Sequence, residues 1–364
     1  MLKREATRRA IQNLGIPYCT VSIWRKVEKD KAGGFSIHLR LRTGIDLEEL
    51  RKFEGRLAVA LRRDQVEITQ VSSNTVLLTA TRKLSKVLPK KANDIENGLL
   101  PHRTNTVAIG VNNQGKEVEL EIFGSDGGRT SLVGGNPNQG KSSLLKVIAS
   151  ALSHTSTAII WFDPKFGADA RVFNNRVEVF DNPNNPDEYL QALQDLQRIA
   201  QERNHFLGQG LSIDALPRVL LIVDEWAVLA GLGPKAFQTE FGQTLRKLVA
   251  TSRSANISIV LATQRPTKEN IDVTTRELSA NRIAFQVGDI YASEAILGVS
   301  GAERNKTFLS QGQCLLWKEG LLVPLALYRV TDETISKANK YKGLKISISD
   351  LIEMNKIFER EHQR

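Results

Sequence analysis

"SLVGGNPNQGKSSLLKVIAS", residues 131–150, sets an apolar run, a glycine pair, a proline, a third glycine, a lysine and two serines ahead of a helix-like stretch. Gly135 and Gly140 frame four residues and are followed by Lys141 and Ser142, which fits G-x-x-x-x-G-K-[ST]. In that spacing the backbone from Gly135 through Asn136, Pro137, Asn138 and Gln139 to Gly140 curves around a concavity suited to phosphate oxygens. The helix opening at Lys141, Ser142 and Ser143 adds the positive end of its dipole. Lys141 would reach the β- and γ-phosphates, and the Ser142 hydroxyl would ligate Mg²⁺. A glycine-rich strand-to-helix turn that holds nothing can match the same letters, so context decides. Thr130 to Val133 reads as a strand, and Ser143 to Leu152 carries Leu144, Leu145, Val147, Ile148, Ala151 and Leu152 at helical spacing. Strand, loop and helix follow in the required order, which predicts a nucleotide site for ATP and Mg²⁺.

At 364 residues, with 41% hydrophobic residues, the chain can build one large or two ordinary domains. No apolar stretch approaches the roughly 18–20 residues of a membrane helix, and MLKREATRRA has no signal-peptide hydrophobic region. The expectation is a soluble cytoplasmic protein without a transmembrane segment. Cys19 and Cys314 stand apart from each other and from histidine pairs, so they read as buried thiols. His38, His102, His154, His205 and His362 show no ligand or catalytic spacing.

Charge is divided unevenly. Residues 1–105 hold 21 Lys and Arg against 11 Asp and Glu, whereas residues 106–364 are balanced at 29 of each. A basic segment ahead of a neutral module fits a polyanionic partner, and equally a solvated basic face. Within it, residues 1–15 read as a basic amphipathic helix bearing Leu2, Ala6, Ala10 and Leu14. "IPYCTVSIWRKV" and "GGFSIHLRLR" read as strands around the turn EKDKAGG, and Asp46 to Leu61 as a helix with Leu47, Leu50, Phe53, Leu57 and Leu61 on one face. "VEITQV" and "NTVLLTAT" complete a small β-β-α-β-β domain over residues 16–85. The Lys-, Pro- and Asn-containing stretch 86–105 reads as a linker.

From 106 to 331 near-continuous apolar strands alternate with helices. The strands are "TAIIWFD" (157–163), "VEVF" (177–180), "RVLLIVDE" (218–225), "ISIVLATQ" (257–264) and "NRIAFQV" (281–287), with helix patterns at about 187–207 and 237–254. That predicts an α/β fold with a mostly parallel sheet covered on both faces, its ligand at the carboxyl ends of the strands. Asp224 and Glu225 end such a strand: one carboxylate would hold Mg²⁺ and the other would orient or deprotonate the attacking water. Gln264, after the next strand, is a candidate γ-phosphate or water sensor. Residues 332–364 read as a helical tail.

"LVATSRSANISIVLATQRP" (248–266), "NRIAFQV" (281–287) and "GAE" (301–303) closely resemble the motor domain of the FtsK/SpoIIIE family of DNA translocases. The order of P-loop, "DPK" (163–165) and "VDE" (223–225) is similar to that family as well, as is the small domain ahead of the motor. The resemblance implies a RecA-like P-loop core, a hexameric ring, and ATP-driven movement along duplex DNA. Three features depart from it: the loop interior N-P-N-Q in place of a Thr-Gly-Ser-Gly type, no membrane region before the basic domain, and a tail too short for a complete winged-helix reader. The expectation is therefore a stripped motor, similar to those of plasmids and integrative elements, serving conjugative transfer or mobilisation with a membrane or relaxosome protein as partner. Two alternatives stay open: a secretion-type ATPase acting on polypeptide, and a DNA-binding replication accessory or coupling scaffold whose oligomeric state nucleotide sets.

A ring ATPase needs a cation from the neighbouring subunit at each site. Arg253, Arg265, Arg276 and Arg282 are candidates; Arg253 and Arg282 match arginines of the family pattern, and a structural ion pair is the competing reading for each. Asp163 and Lys165 are expected on the strand beside the P-loop strand, either supporting the site or lining the channel, against the reading of Asp163-Pro164 as a plain turn.

Overall fold

The computed structural model describes residues 2–16, 19–21, 27–29, 35–41, 47–61, 63, 65–81, 105–112, 115–173, 176–267, 270–303, 309, 311–318, 320–338 and 345–363. The chain divides into two compact units, residues 1–86 with 111–117, and residues 87–110 with 118–364. The stretch read as a linker lies outside the described residues up to residue 104.

The first unit is an antiparallel sheet with helices on one face. β1 (Cys19–Val21), β2 (Glu28–Lys29), β3 (Phe35–Leu41), β4 (Gln65–Ser72) and β5 (Thr75–Thr81) pair in the order β1-β3-β5-β4, with β2 also on β3. Period-two alternation puts Phe35, Ile37, Leu39 and Leu41 of β3, and Val76, Leu78 and Ala80 of β5, into one core. Glu28 and Lys29, expected in a turn, pair instead with Ser36 and Phe35. The helix expected over Asp46–Leu61 is two, Leu47–Arg51 and Glu54–Ala60, because the chain tightens at Phe53, whose N–H bonds Leu50 O at 3.1 Å. The first helix, Leu2–Asn13, buries Thr7, Ala10 and Ile11 and exposes Ala6. Of the expected Leu2-Ala6-Ala10-Leu14 line, Ala10 is in the core and Leu14 packs against it, whereas Ala6 is exposed and Ile11 is buried beside Ala10. The bulkier Ile11 sets the face, since burial gain scales with apolar area.

The second unit is built on a ten-stranded sheet. Its strands are β6 (Thr106–Asn112), β7 (Glu117–Glu121), β10 (Thr130–Gly134), β11 (Ala158–Phe162), β12 (Val177–Phe180), β13 (Val219–Asp224), β14 (Ile257–Thr263), β15 (Ser279–Ala284), β16 (Gln313–Lys318) and β17 (Leu321–Leu327). They run in the order β12-β11-β13-β14-β10-β15-β16-β17-β6-β7, and the hairpin of β8 (Phe123–Gly124) and β9 (Gly127–Gly128) stands apart. The six strands from β12 to β15 are parallel; β16 is antiparallel to both β15 and β17. All residues of β10, β11, β13 and β14 are buried, as strands covered on both faces require. Helices Lys141–Leu152, Pro186–Gly208 and Lys235–Thr251 supply the cover. The α/β architecture with a mostly parallel sheet is as the sequence predicts.

β15 ends three residues earlier than the expected strand 281–287; beyond it Phe285 N–H donates to Gly134 O at the end of β10, and Gln286 O accepts from Asn136 N–H of the loop that follows. The last helix, Ile348–His362, starts at a capping box in which Ser347 and Asp350 satisfy each other's backbone donors. Its Leu351 joins the main core, and Phe358 packs on Phe206 with ring centroids 5.1 Å apart. Asn355 joins the helix to Arg203 and Glu202 of Pro186–Gly208. Cys19 and Cys314 are both buried free thiols. Among the described residues no helix is long and apolar enough to cross a membrane.

Candidate active site

The register of three neighbouring strands brings the motifs together. Gly134 of β10 stands opposite Thr263 of β14, and Asp224 of β13 stands opposite Ala262. Their carboxyl ends therefore lie within about one residue of a common level. That edge is where ligands enter open parallel sheets.

Residues 135–140 leave β10 as a tight loop. Gly135 has φ 154° and a Cβ there would lie 2.5 Å from the Phe285 Cβ, so only glycine fits. Gly140, with φ 120°, is pressed between the Phe285 ring and Gly312. The N–H of Asn136 donates to Gln286 O and that of Gly312 to Gln139 O, both at 2.8 Å, which fixes the loop from its flank. Asn138 adopts the left-handed φ of 59° that Asn tolerates. Pro137 lies between them, and Ser142 and Ser143 open the helix that begins at Lys141.

The Lys141 ammonium folds back over this loop, donating to Gly135 O at 2.5 Å and to Asn136 O at 2.8 Å. Burial pushes its pKa down to about 8; Glu225 and Asp224 pull it up, and Lys165 pushes it further down. Incoming phosphates favour the charged form, so the pKa of the loaded site lies above that of the free one. As Lys141 loses its proton, nucleotide affinity is therefore expected to fall above pH 8, approaching tenfold per unit until the loaded site itself deprotonates. A fluorescent-nucleotide titration between pH 7 and 9.5 checks this, with a rise above pH 8 as the opposing result.

Asp224 is 1% exposed, and the Lys165 ammonium straddles its carboxylate at 3.4 and 3.5 Å. Burial pushes the Asp224 pKa up to about 7, opposed by Lys165 and reinforced by Asp163 and Asp169. A buried carboxylate already matched to a cation, on the strand packed beside a helix that opens with Ser142, is an all-oxygen donor set suited to Mg²⁺. Ser142 and Asp224 are the residues that would hold it. Among the described residues no group of three or more His, Cys, Asp or Glu side chains is arranged to hold a metal ion.

Glu225 follows in the left-handed region, φ 83° and ψ 64°. For a residue with a Cβ that conformation costs about 1–2 kcal/mol, strain of a kind that collects at functional sites. Its carboxylate accepts from the Thr263 hydroxyl at 3.0 Å and from the Gln264 N–H at 2.9 and 3.1 Å. The end of β14 thus aims the carboxylate through Thr263 and the Gln264 backbone, while the Gln264 side chain stays half-buried.

Asp163 and Lys165 are not on the strand beside the P-loop strand. β11 is separated from β10 by both β13 and β14, because the chain inserts β14 between the two site strands. Asp163 serves the turn: it accepts from the N–H groups of Lys165 at 2.9 Å and Asp169 at 3.1 Å. Lys165 alone of this motif reaches the site.

The arginines part company. Arg282 donates to Leu297 O at 3.3 Å and Ser279 O at 3.4 Å and lies 4.2 Å from the centre of the Trp317 ring. Arg276 donates to Glu294 O at 3.1 Å, so both cap the helix Ile290–Leu297. Arg253 sits just before β14, at the opposite end of the sheet from the P-loop, 65% exposed and paired with Asp126. Arg265 is exposed in the loop after β14. Sequence reasoning missed Phe285 and Gly312, which hold the loop from residues far along the chain. It also missed Thr263, whose signal was its place beside Gln264.

The chain is 39% identical over 115 residues to the DNA translocase FtsK of Bradyrhizobium diazoefficiens, covering 31% of this chain and 13% of that protein. It is 31% identical over 197 residues to FtsK of Treponema pallidum, covering 48% and 24%. This chain resembles the FtsK translocases. It spans about a quarter or less of the length of these FtsK proteins. No protein-family model matches. In fold, the FtsK-like chain is similar to the pCW3 conjugation coupling protein TcpA, monomer form with ATPγS, at TM-score 0.61 and 18% identity over 97% of this chain and 99% of that one. It is also similar to the cytoplasmic domain of the Thermomonospora curvata type VII secretion ATPase EccC, at TM-score 0.54 and 19% identity over 66% and 31%.

Proposed function

We propose that this protein is an ATP-dependent double-stranded DNA translocase, working as a hexameric ring in conjugative transfer or mobilisation of a plasmid or integrative element. The observation that carries the reading is the convergence of Lys141, Asp224 and Glu225 at one edge of the sheet, the last two on a strand separated from the P-loop strand by β14. ATP bound along residues 135–143, with Mg²⁺ at Ser142 and Asp224, would supply the phosphoryl group and neutralise its charge. Glu225 is aimed by Thr263 and Gln264 to take a proton from water. The FtsK relatives point to DNA as the cargo, and the whole-length likeness to TcpA points to conjugation as the setting. The test is displacement of a third strand from duplex DNA: ATP-dependent release supports translocation, and none with hydrolysis intact overturns it.

The basic first unit gives the grip in this reading. Each phosphate contacted contributes about −0.9 to the slope of log affinity against log salt, and backbone contacts carry no sequence information. A shortened protein starting at Asn105 keeps the Asn105 contacts to Ile122 and Arg218. It is expected to bind nucleotide but to lose most of its duplex affinity and salt slope. Equal slopes for the full and shortened proteins in filter binding would assign the grip to the motor instead.

A further inference from the structure

Lys165 touches the site through Asp224, and the chemistry assigned to the site gives it no role. Its backbone is pinned: the N–H donates to Asp163, which also holds Asp169, and Asp169 pairs with Lys146 of the helix that starts at Lys141. From this fixed base the side chain, 34% exposed, reaches the fully buried Asp224 and places Nζ at nearly equal distances from both carboxylate oxygens. At 3.4–3.5 Å these contacts are well beyond the 2.7–2.9 Å of a tight charge-assisted hydrogen bond. The ammonium therefore lies astride the carboxylate as a bound cation would, without being locked to it. A flexible lysine with one end in solvent can leave at small cost, unlike a rigid bidentate arginine.

We propose that Lys165 is a positioning residue that stands in for the metal: it neutralises Asp224 while no cation is present, and Mg²⁺ arriving with nucleotide displaces it. The proposal rests on the nucleotide reading of residues 135–143. Its consequence is a defined linkage. With Lys165 present, nucleotide can enter without Mg²⁺, because Asp224 does not face the phosphates as a bare charge; with Mg²⁺, part of the binding free energy goes into expelling the ammonium. Removing the charge should weaken metal-free binding and strengthen metal-dependent binding together.

The measurement is the dissociation constant of ATPγS on the full-length protein, in EDTA and in saturating Mg²⁺, for wild type, Lys165→Met and Lys165→Arg. The ratio of the EDTA constant to the Mg²⁺ constant is expected to rise at least tenfold in Lys165→Met and to fall below the wild-type value in Lys165→Arg, whose bidentate guanidinium is harder to expel. The Mg²⁺ concentration that half-saturates binding should fall in Lys165→Met alone. If Lys165 were a phosphate ligand, both constants would weaken in parallel and the ratio would stay fixed. A merely structural lysine would lower thermal stability and leave the ratio unchanged. Either result overturns the proposal. Wild-type protein that binds ATPγS in neither condition would instead overturn the nucleotide reading itself.

Discussion

Glu225→Gln is expected to cut ATP hydrolysis by about 10²–10⁴-fold, the usual worth of a general base, while leaving ATP affinity within a few-fold of wild type. The substitution keeps the side-chain shape and an oxygen that can accept from Thr263 and Gln264. It removes only the ability to take a proton. Lys141→Ala is expected to stop hydrolysis by another route. It takes a buried cation from the floor of the loop, where loss of a charge partner costs about 2–5 kcal/mol, or 30-fold to several thousand-fold in affinity. Equilibrium binding of ATPγS beside single-turnover hydrolysis separates the two variants. Equal affinities would refute the assigned roles.

The second large effect concerns a cation supplied between subunits, worth about 10³–10⁵ in rate where such residues act. The surroundings of Arg253 and Arg282 distinguish them. Arg282 is committed to its own subunit, to helix-end carbonyls and the Trp317 ring, so Arg282→Ala should lower the melting temperature and not be rescued by mixing. Arg253 is largely exposed, is paired with Asp126 among the described residues, and lies at the opposite end of β14 from the P-loop. Arg253→Ala subunits should hydrolyse at least about 10³-fold more slowly and recover activity when mixed with Lys141→Ala subunits. A mixture has sites with an intact loop beside a neighbour with an intact arginine. Rescue of Arg282→Ala with none for Arg253→Ala would reverse the assignment.

Local patterns in the chain carry much of this. The P-loop, the parallel strands and the Asp224-Glu225 pair each announce themselves within ten residues, because phosphate cradles, buried strands and strand-end carboxylates have local grammars. Pairing order does not. The sequence places Asp163 and Lys165 beside the loop strand, but only the strand order shows that β11 pairs with β13 rather than β10, so that Lys165 reaches Asp224 at the end of the adjoining strand. Phe285 and Gly312 brace the loop from about 150 and 170 residues further along the chain, and nothing in their neighbourhoods says so. The first helix likewise shows its period but not its phase: Ala6 and Ile11 satisfy similar spacings, and packing against the sheet chooses Ile11. Short-range chemistry was legible, whereas contacts set by strand order and helix phase required the fold.

The central claim is that duplex DNA and the nucleotide site are coupled in one motor. The most direct test is steady-state ATP hydrolysis by the full-length protein, measured alone, with duplex DNA of mixed sequence, and with an unfolded polypeptide, at several salt concentrations. The account predicts strong stimulation by duplex DNA of any sequence, lost as salt rises and absent in Glu225→Gln. Hydrolysis indifferent to duplex DNA, or raised by the polypeptide instead, would contradict it.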